Sequence, residues 1–122
     1  MNNPVGWFEI YVQDMARAKA FYESVFDTTL SQLDNPELEM WAFPMDMATF
    51  GTSGALIRMP GFPSGASGML VYFRSADCAV ELDKAVKAGG KVQKPKTSIG
   101  QYGHIALVID TEGNTVGLHS VQ

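Results

Sequence analysis

Glu9 is the residue whose setting most suggests chemistry. It lies within Trp7-Phe8-Glu9-Ile10-Tyr11-Val12-Gln13-Asp14, a stretch that reads as an apolar β-strand ending at an aspartate and handing over to a helix. A carboxylate in such a strand sits either on a solvated face or in a polar pocket, because burying it unpaired costs several kcal/mol or forces protonation. In a pocket it could accept from a ligand or serve as a general base. It could equally be a structural carboxylate, paired with Arg74 or His119 and tying two sheets together. The sequence leaves both readings open.

The other reactive side chains are few. His119 has suitable acid–base chemistry near neutral pH but stands three residues from the C-terminus, where a structural or exposed role is expected. His104 lies on a strand whose face the sequence does not assign. Glu9, His104 and His119 together would be enough donors for zinc, although nothing in their spacing selects such a site. Arg74 could grip an anion bidentately or pair with an acid. Cys78 follows an aspartate cap, where a thiolate is favoured, but no partner base is evident and a plain helix-start residue is expected. The glycines between Gly61 and Gly68 lack the strand-to-helix setting of a phosphate loop and read as a linker.

The elements that must position these residues follow from periodicity and caps. Residues 5–12 are β-rich, and Asp14 is a good N-cap. Met15, Ala18, Tyr22 and Val25 recur at helical spacing, with Phe21 and Phe26 widening the stripe, and the helix is expected to end near Asp27. Strands are expected near Thr28–Leu33, Leu38–Phe43 and Ala55–Met59, with Met45–Thr49 ambiguous between strand and loop. After the Pro/Gly-rich linker the pattern restarts. Met69–Arg74 reads as a strand, Asp77 as a second cap, and Ala79, Leu82 and Val86 as the stripe of a second helix stopped by Gly89-Gly90. Lys91–Gln93 begins a strand, Lys94–Ser98 reads as a loop, and Gly103–Ile109 and Thr115–Val121 flank a hairpin turn over 110–114. A shift of about 63 residues superposes Asp77 on Asp14 and Tyr72 on Glu9. The expected fold class is therefore α+β: two tandem βαβββ modules, about 4–60 and 69–122, joined by a linker at 60–68 into one domain over 1–122. Each module is a sheet with a helix on one face, and the remaining concave faces could meet around a site.

Composition bounds the function. The chain has 122 residues, 46% of them hydrophobic and 18% charged, as expected of one folded domain. A net charge of −4 and scattered Lys and Arg argue against nucleic acid or an anionic membrane as partner. The loose group Lys91, Lys94 and Lys96 reads as a solvated edge. A single cysteine rules out a disulfide within the chain. With no signal-like opening and no apolar run long enough to span a bilayer, a soluble protein of the reducing cytoplasm is expected.

Three segments carry a family resemblance. Glu9 to Tyr22 followed by Val25-Phe26 resembles the opening of a vicinal oxygen chelate module. Ala88-Gly89-Gly90-Lys91-Val92 resembles the end of the second module's helix, and Asp110 to Asn114 followed by Val116-Gly117-Leu118 the closing hairpin. The superfamily includes glyoxalase I, bleomycin-resistance proteins, fosfomycin-resistance enzymes and extradiol dioxygenases, and one such scaffold hosts many activities. Its enzymes hold a divalent metal through side chains on the first and last strands of each module. Carried over, those positions fall on Trp7, Leu70, Gly117 and a residue within Ala55–Met59, none of which is a hard-ion donor.

The resemblance thus implies a member without the usual metal ligands, and no metal or other cofactor is expected. With Trp7 facing the cavity, strand alternation adds Glu9 and Tyr11 to the same face, and likewise Tyr72, Arg74 and His119 in the second module. Trp41, Met45, Met47 and Phe50 could line this pocket or plug it. The implied function is metal-independent small-molecule binding of bleomycin-resistance type, with Trp7, Tyr11, Tyr72, Arg74 and His119 on the ligand. The alternative is a glyoxalase-like lyase or isomerase with Glu9 as base and possible recourse to a rearranged metal site. A homodimer is implied as well.

Overall fold

A computed structural model describes residues 3–65 and 68–122. Two βαβββ arrangements follow one another along the chain, as the duplicated pattern requires. The first comprises β1 (Val5–Tyr11), α1 (Met15–Phe26), β2 (Ser31–Leu33), β3 (Glu39–Ala42) and β4 (Gly54–Arg58). The second comprises β5 (Met69–Arg74), α2 (Cys78–Lys87), β6 (Lys91–Ser98), β7 (His104–Ile109) and β8 (Thr115–Ser120), with a 3₁₀ turn at Gly100–Tyr102. By compactness the chain divides into one unit of Trp7–Met69 and another of Leu70–Gln122 with Met1–Gly6.

In the Trp7–Met69 unit the strands run in the order β2-β3-β4-β1. β4 and β1 pair in parallel, with Glu9 opposite Ala55 and Tyr11 opposite Ile57. Asp14 caps α1 by accepting from the Arg17 amide at 3.0 Å. Asp27 ends the helix in the left-handed region at φ 51°, and its N–H donates to the Glu23 carbonyl. One sheet face packs on α1 through Val12, Met15, Leu30 and Leu56, with Ile10, Ala18, Tyr22 and Trp41 around them. The opposite face gathers Ala42, Ala55 and Ile57 with Trp7, Tyr11, Leu38 and Met59. The helical stripe is narrower than its sequence suggests: Phe21, Val25 and Phe26 are exposed.

The second unit repeats the plan with strand order β5-β8-β7-β6 and a parallel β5–β8 pair. Asp77 caps α2 through the Ala79 amide at 3.0 Å. Cys78, Ala106, Val108 and Leu118 form the core beneath α2. Cys78 is fully buried, and its amide donates to Ser120 Oγ at 3.0 Å, so it is a packed helix-start residue.

Two local expectations are corrected here. Residues Lys94–Ser98 are strand, not loop. They continue β6 at the sheet edge with register shifts between Val92 and Lys94 and between Lys94 and Thr97, and an edge tolerates Pro95, which has no amide to donate. Lys96 does not belong to a freely solvated group: its Nζ lies 2.8 Å from Asp77 Oδ1. Of the linker expected at 60–68, Ala66 and Ser67 lie outside the described residues. Gly68 holds its end in place by accepting from the Tyr11 amide at 2.6 Å.

Candidate functional site

The alternation of β1 sends Trp7, Glu9 and Tyr11 to the face away from α1, and their side chains meet there. Trp7 Nε1 donates to Glu9 Oε2 at 3.3 Å, and the Tyr11 hydroxyl donates to Glu9 Oε1 at 2.8 Å. Glu9 is only 8% exposed. A carboxylate so placed needs donors to offset lost hydration, and two aromatic residues at i ± 2 on its own strand supply them. Around this trio the wall is apolar: Ala55 and Ile57 from β4, then Ala42 and Met40 from β3. The parallel register sets the small Ala55 beside Glu9, which leaves room for the carboxylate between the two ring systems. Chemically this is a carboxyl acceptor framed by an indole and a phenol on an apolar surface, the usual make-up of a small-molecule site.

Trp41, Met45, Met47 and Phe50 do not line that face. Trp41 lies on the α1 side, with Lys19 Nζ 3.3 Å from its ring centroid and its Nε1 donating to Glu39 at 3.0 Å. Met45 and Met47 are exposed, and Phe50 is 96% exposed on the segment between β3 and β4. Strand parity explains Trp41: the face of β3 is set by its pairing with β4, which sequence spacing alone did not reveal.

In the second unit the corresponding face carries Tyr72, Arg74, Gly117 and His119. The register pairs Tyr72 with Gly117 and Arg74 with His119. Tyr72 is buried, and its ring lies over Gly117, where a Cβ would fall 2.8 Å from Tyr72 Cγ and closer still to Cδ1. Arg74 Nη2 donates to the Asn3 carbonyl at 3.3 Å, and His119 Nε2 lies 2.6 Å from the Tyr102 carbonyl oxygen. His104 belongs to the other face. It sits at a register position with Ser120, whereas its neighbour Ile105 opposes His119. It lies near Asp77, whose carboxyl is held below the usual carboxylate range first by the Lys96 hydrogen bond and then by the Ala79 amide, with His104 adding a smaller charge effect.

The donor set does not fit a divalent cation of the kind held by enzymes of the family that the sequence resembles. Trp7, Leu70 and Gly117 offer no oxygen or nitrogen ligand, and the Tyr72 ring occupies the space that a side chain at 117 would need. His104 and His119 point to opposite faces of one sheet, which removes the rearranged site built on both. Among the described residues no three of His, Cys, Asp and Glu come together in a way that could hold a metal ion.

One feature of the Trp7–Met69 unit has no sequence motif. The turn after β4 folds back on the ends of β1 and β4, forming an open cleft of about 370 Å³ lined by Val12, Gln13, Arg58, Met59, Phe62 and Pro63, among others. Phe62 stacks on Tyr11 with ring centroids 5.5 Å apart. The only forewarning in the sequence was an aromatic residue inside a Pro/Gly run.

Comparison with known proteins bears on this geometry. A family model described as the Glyoxalase/Bleomycin resistance protein/Dioxygenase superfamily matches residues 5–118. Over 116 residues the chain is 30% identical to CFP32 of Mycobacterium tuberculosis, a protein named for a glyoxylase, and equally to its Mycobacterium bovis counterpart. The match covers 92% of this chain and 43% of that relative, so the chain spans less than half the relative's length. Among solved structures, the protein BH1468 of Bacillus halodurans matches with TM-score 0.76 at 10% identity, covering 100% of this chain and 96% of that one. Methylmalonyl-CoA epimerase of M. tuberculosis matches with TM-score 0.70 at 12% identity, covering 98% and 88%. That of Streptomyces coelicolor, in complex with 2-nitronate-propionyl-CoA, matches with TM-score 0.69 at 13% identity, covering 96% of both chains. At these identities the structural likeness speaks for the fold.

Proposed function

Because the chain belongs to the glyoxalase/bleomycin resistance protein/dioxygenase superfamily, we propose that it is a small-molecule-binding protein of bleomycin-resistance type that works without a bound metal ion. The observation that carries this reading is the Trp7–Glu9–Tyr11 cluster: a buried carboxylate held by two aromatic donors, one of which, Trp7, stands where the resemblance puts a metal ligand. The ligand contacts proposed on this unit are Trp7 and Tyr11 beside Glu9. Tyr72, Arg74 and His119 are the ligand contacts proposed on the corresponding face of the other unit. A ligand suited to the first face offers a donor or a cation to Glu9 and an apolar or aromatic surface to the rings. No helix among the described residues is long and apolar enough to cross a membrane. We propose the reducing cytoplasm as its compartment, in keeping with a buried free thiol at Cys78. A second copy of the chain is the proposed protein partner. The exposed Phe21, Val25 and Phe26 of α1 supply apolar surface for it, and the greater length of the matched relatives leaves room there for another such domain.

A thermal-shift screen of small metabolites and antibiotics in the presence of a chelator tests the reading. A ligand that raises the melting temperature without metal, and fails to do so in Trp7→Ala, supports it. Stabilisation that appears only on adding a divalent metal sinks it. The burial of Glu9 also keeps a second reading in play, a lyase or isomerase with Glu9 as base. Glu9→Gln separates the two: turnover abolished with binding intact identifies the enzyme, whereas no turnover by wild type of any ligand found identifies the binder.

A further inference from the structure

We propose that the cleft at the C-terminal ends of β1 and β4 binds a small organic carboxylate, with Arg58 as its anion anchor and Phe62 as its apolar platform. This inference goes beyond the Glu9 face and does not depend on it. At about 370 Å³ the cleft falls in the size range of small-molecule sites, roughly 300–1,000 Å³.

Arg58 is oriented for the task. Its Nε donates to the Gln13 carbonyl at 3.2 Å, which fixes the guanidinium through one edge. The remaining edge, carrying both Nη groups, has the fork geometry that receives a carboxylate bidentately. Among the described residues Arg58 takes part in no ion pair. Its cross-strand neighbour Glu39 accepts instead from Trp41 Nε1.

The platform is built as well. Gln13 Nε2 donates to the Phe62 carbonyl at 3.3 Å, the Phe62 amide donates to the Met59 carbonyl at 3.1 Å, and the Phe62 ring is stacked on Tyr11. Both Arg58 and the turn that carries Phe62 are thus tied to Gln13, so cation and ring are held on the same rim before any ligand arrives. The rest of the lining is apolar, including Val12, Met59 and Pro63. One cation beside apolar walls selects an anion with an apolar body over a bare inorganic ion, which would leave those walls wet.

The test is calorimetric titration of the full chain with benzoate, benzamide and inorganic phosphate. Benzoate is expected to bind, with benzamide and phosphate at least tenfold weaker. Arg58→Gln is expected to weaken benzoate roughly tenfold or more, Arg58→Lys to retain part of the affinity, and Phe62→Ala to weaken it severalfold. Arg58 is exposed, so an unchanged thermal melt of Arg58→Gln ties its loss to the site. Glu9→Gln is expected to leave benzoate affinity within about twofold, since the carboxylate here meets Arg58. Any of four results overturns the inference: no benzoate binding at millimolar concentrations, equal binding by Arg58→Gln, phosphate bound as well as benzoate, or a loss in Glu9→Gln as large as in Arg58→Gln. The last of these would mean that the Phe62 platform depends on the Tyr11–Glu9 hydrogen bond, and none of the four measures binding of a donor or cation at Glu9, so failure here and failure of the proposed function are distinguishable.

Discussion

The two units share one frame and fill it oppositely. Each has a first strand running into an aspartate cap, a helix over one sheet face, and a parallel pairing of first and last strands. At equivalent places one holds Glu9 opposite Ala55 and the other Tyr72 opposite Gly117. In the first, aromatic neighbours turn their polar tips toward a carboxylate. In the second, an aromatic ring lies over a glycine and fills the space that a side chain there would need. A duplicated scaffold thereby keeps a polar centre in one half and a packed one in the other. The side chain opposite the first strand decides which: Ala55 leaves room beside Glu9, while Gly117 admits the Tyr72 ring itself.

That contrast can be broken most severely at Gly117. Gly117→Glu should destabilise the protein by roughly 3 kcal/mol or more, since overpacking and a buried charge add together. Removing the ring in Tyr72→Ala should recover part of the loss, and urea melts of the two single variants and the double variant measure that coupling. Next comes Glu9→Leu, which leaves the Trp7 and Tyr11 donors without this acceptor and should cost about 2–3 kcal/mol, against under about 1 kcal/mol for Glu9→Gln. Equal costs for the two would mean that shape rather than hydrogen bonding holds the cluster.

The caps give a smaller and pH-dependent contrast. Asp14→Ala should cost about 1 kcal/mol, and Asp77→Ala should lower the melting temperature further because Asp77 also holds Lys96. The Asp77 carboxyl lies below its ordinary range in the folded chain, owing first to the Lys96 hydrogen bond, and the Asp110 carboxyl lies below it owing first to the Asn114 amide. Depressed folded values mean that their stabilisation is present above the ordinary aspartate pKa near 4 and is lost as pH falls through the lower folded value. Asp77→Asn should flatten thermal stability against pH in that acid window. The smallest effect belongs to the exposed face of α1: Phe21→Ser should change monomer stability by less than about 0.5 kcal/mol. Light scattering then tests the proposed second copy, because an unchanged dimer in Phe21→Ser would move the interface elsewhere.

Much of the fold is legible in the sequence itself. Both βαβββ repeats, both aspartate caps and the shared face of Trp7, Glu9 and Tyr11 follow from period-2 and period-3.6 patterns and from cap chemistry. These depend only on neighbours a few residues away. The lack of donor chemistry at Trp7, Leu70 and Gly117 was equally plain, because residue type alone decides whether an atom can ligate.

What the chain did not disclose depends on partners distant in sequence. Lys94–Ser98 is strand because β7 offers it an edge, despite Pro95. Trp41 faces the helix because β3 takes its parity from β4. The two histidines part because β7 sets His104 on the face opposite to the one His119 occupies on β8. Phe21, Val25 and Phe26 stay outside because Met15, Ala18 and Tyr22 already fill the face that α1 turns to the sheet. The Arg58–Phe62 cleft required a loop to fold back on two strand ends. Local free energies write caps and alternation into the sequence, whereas register and loop closure are settled only when separate segments compete for the same surface.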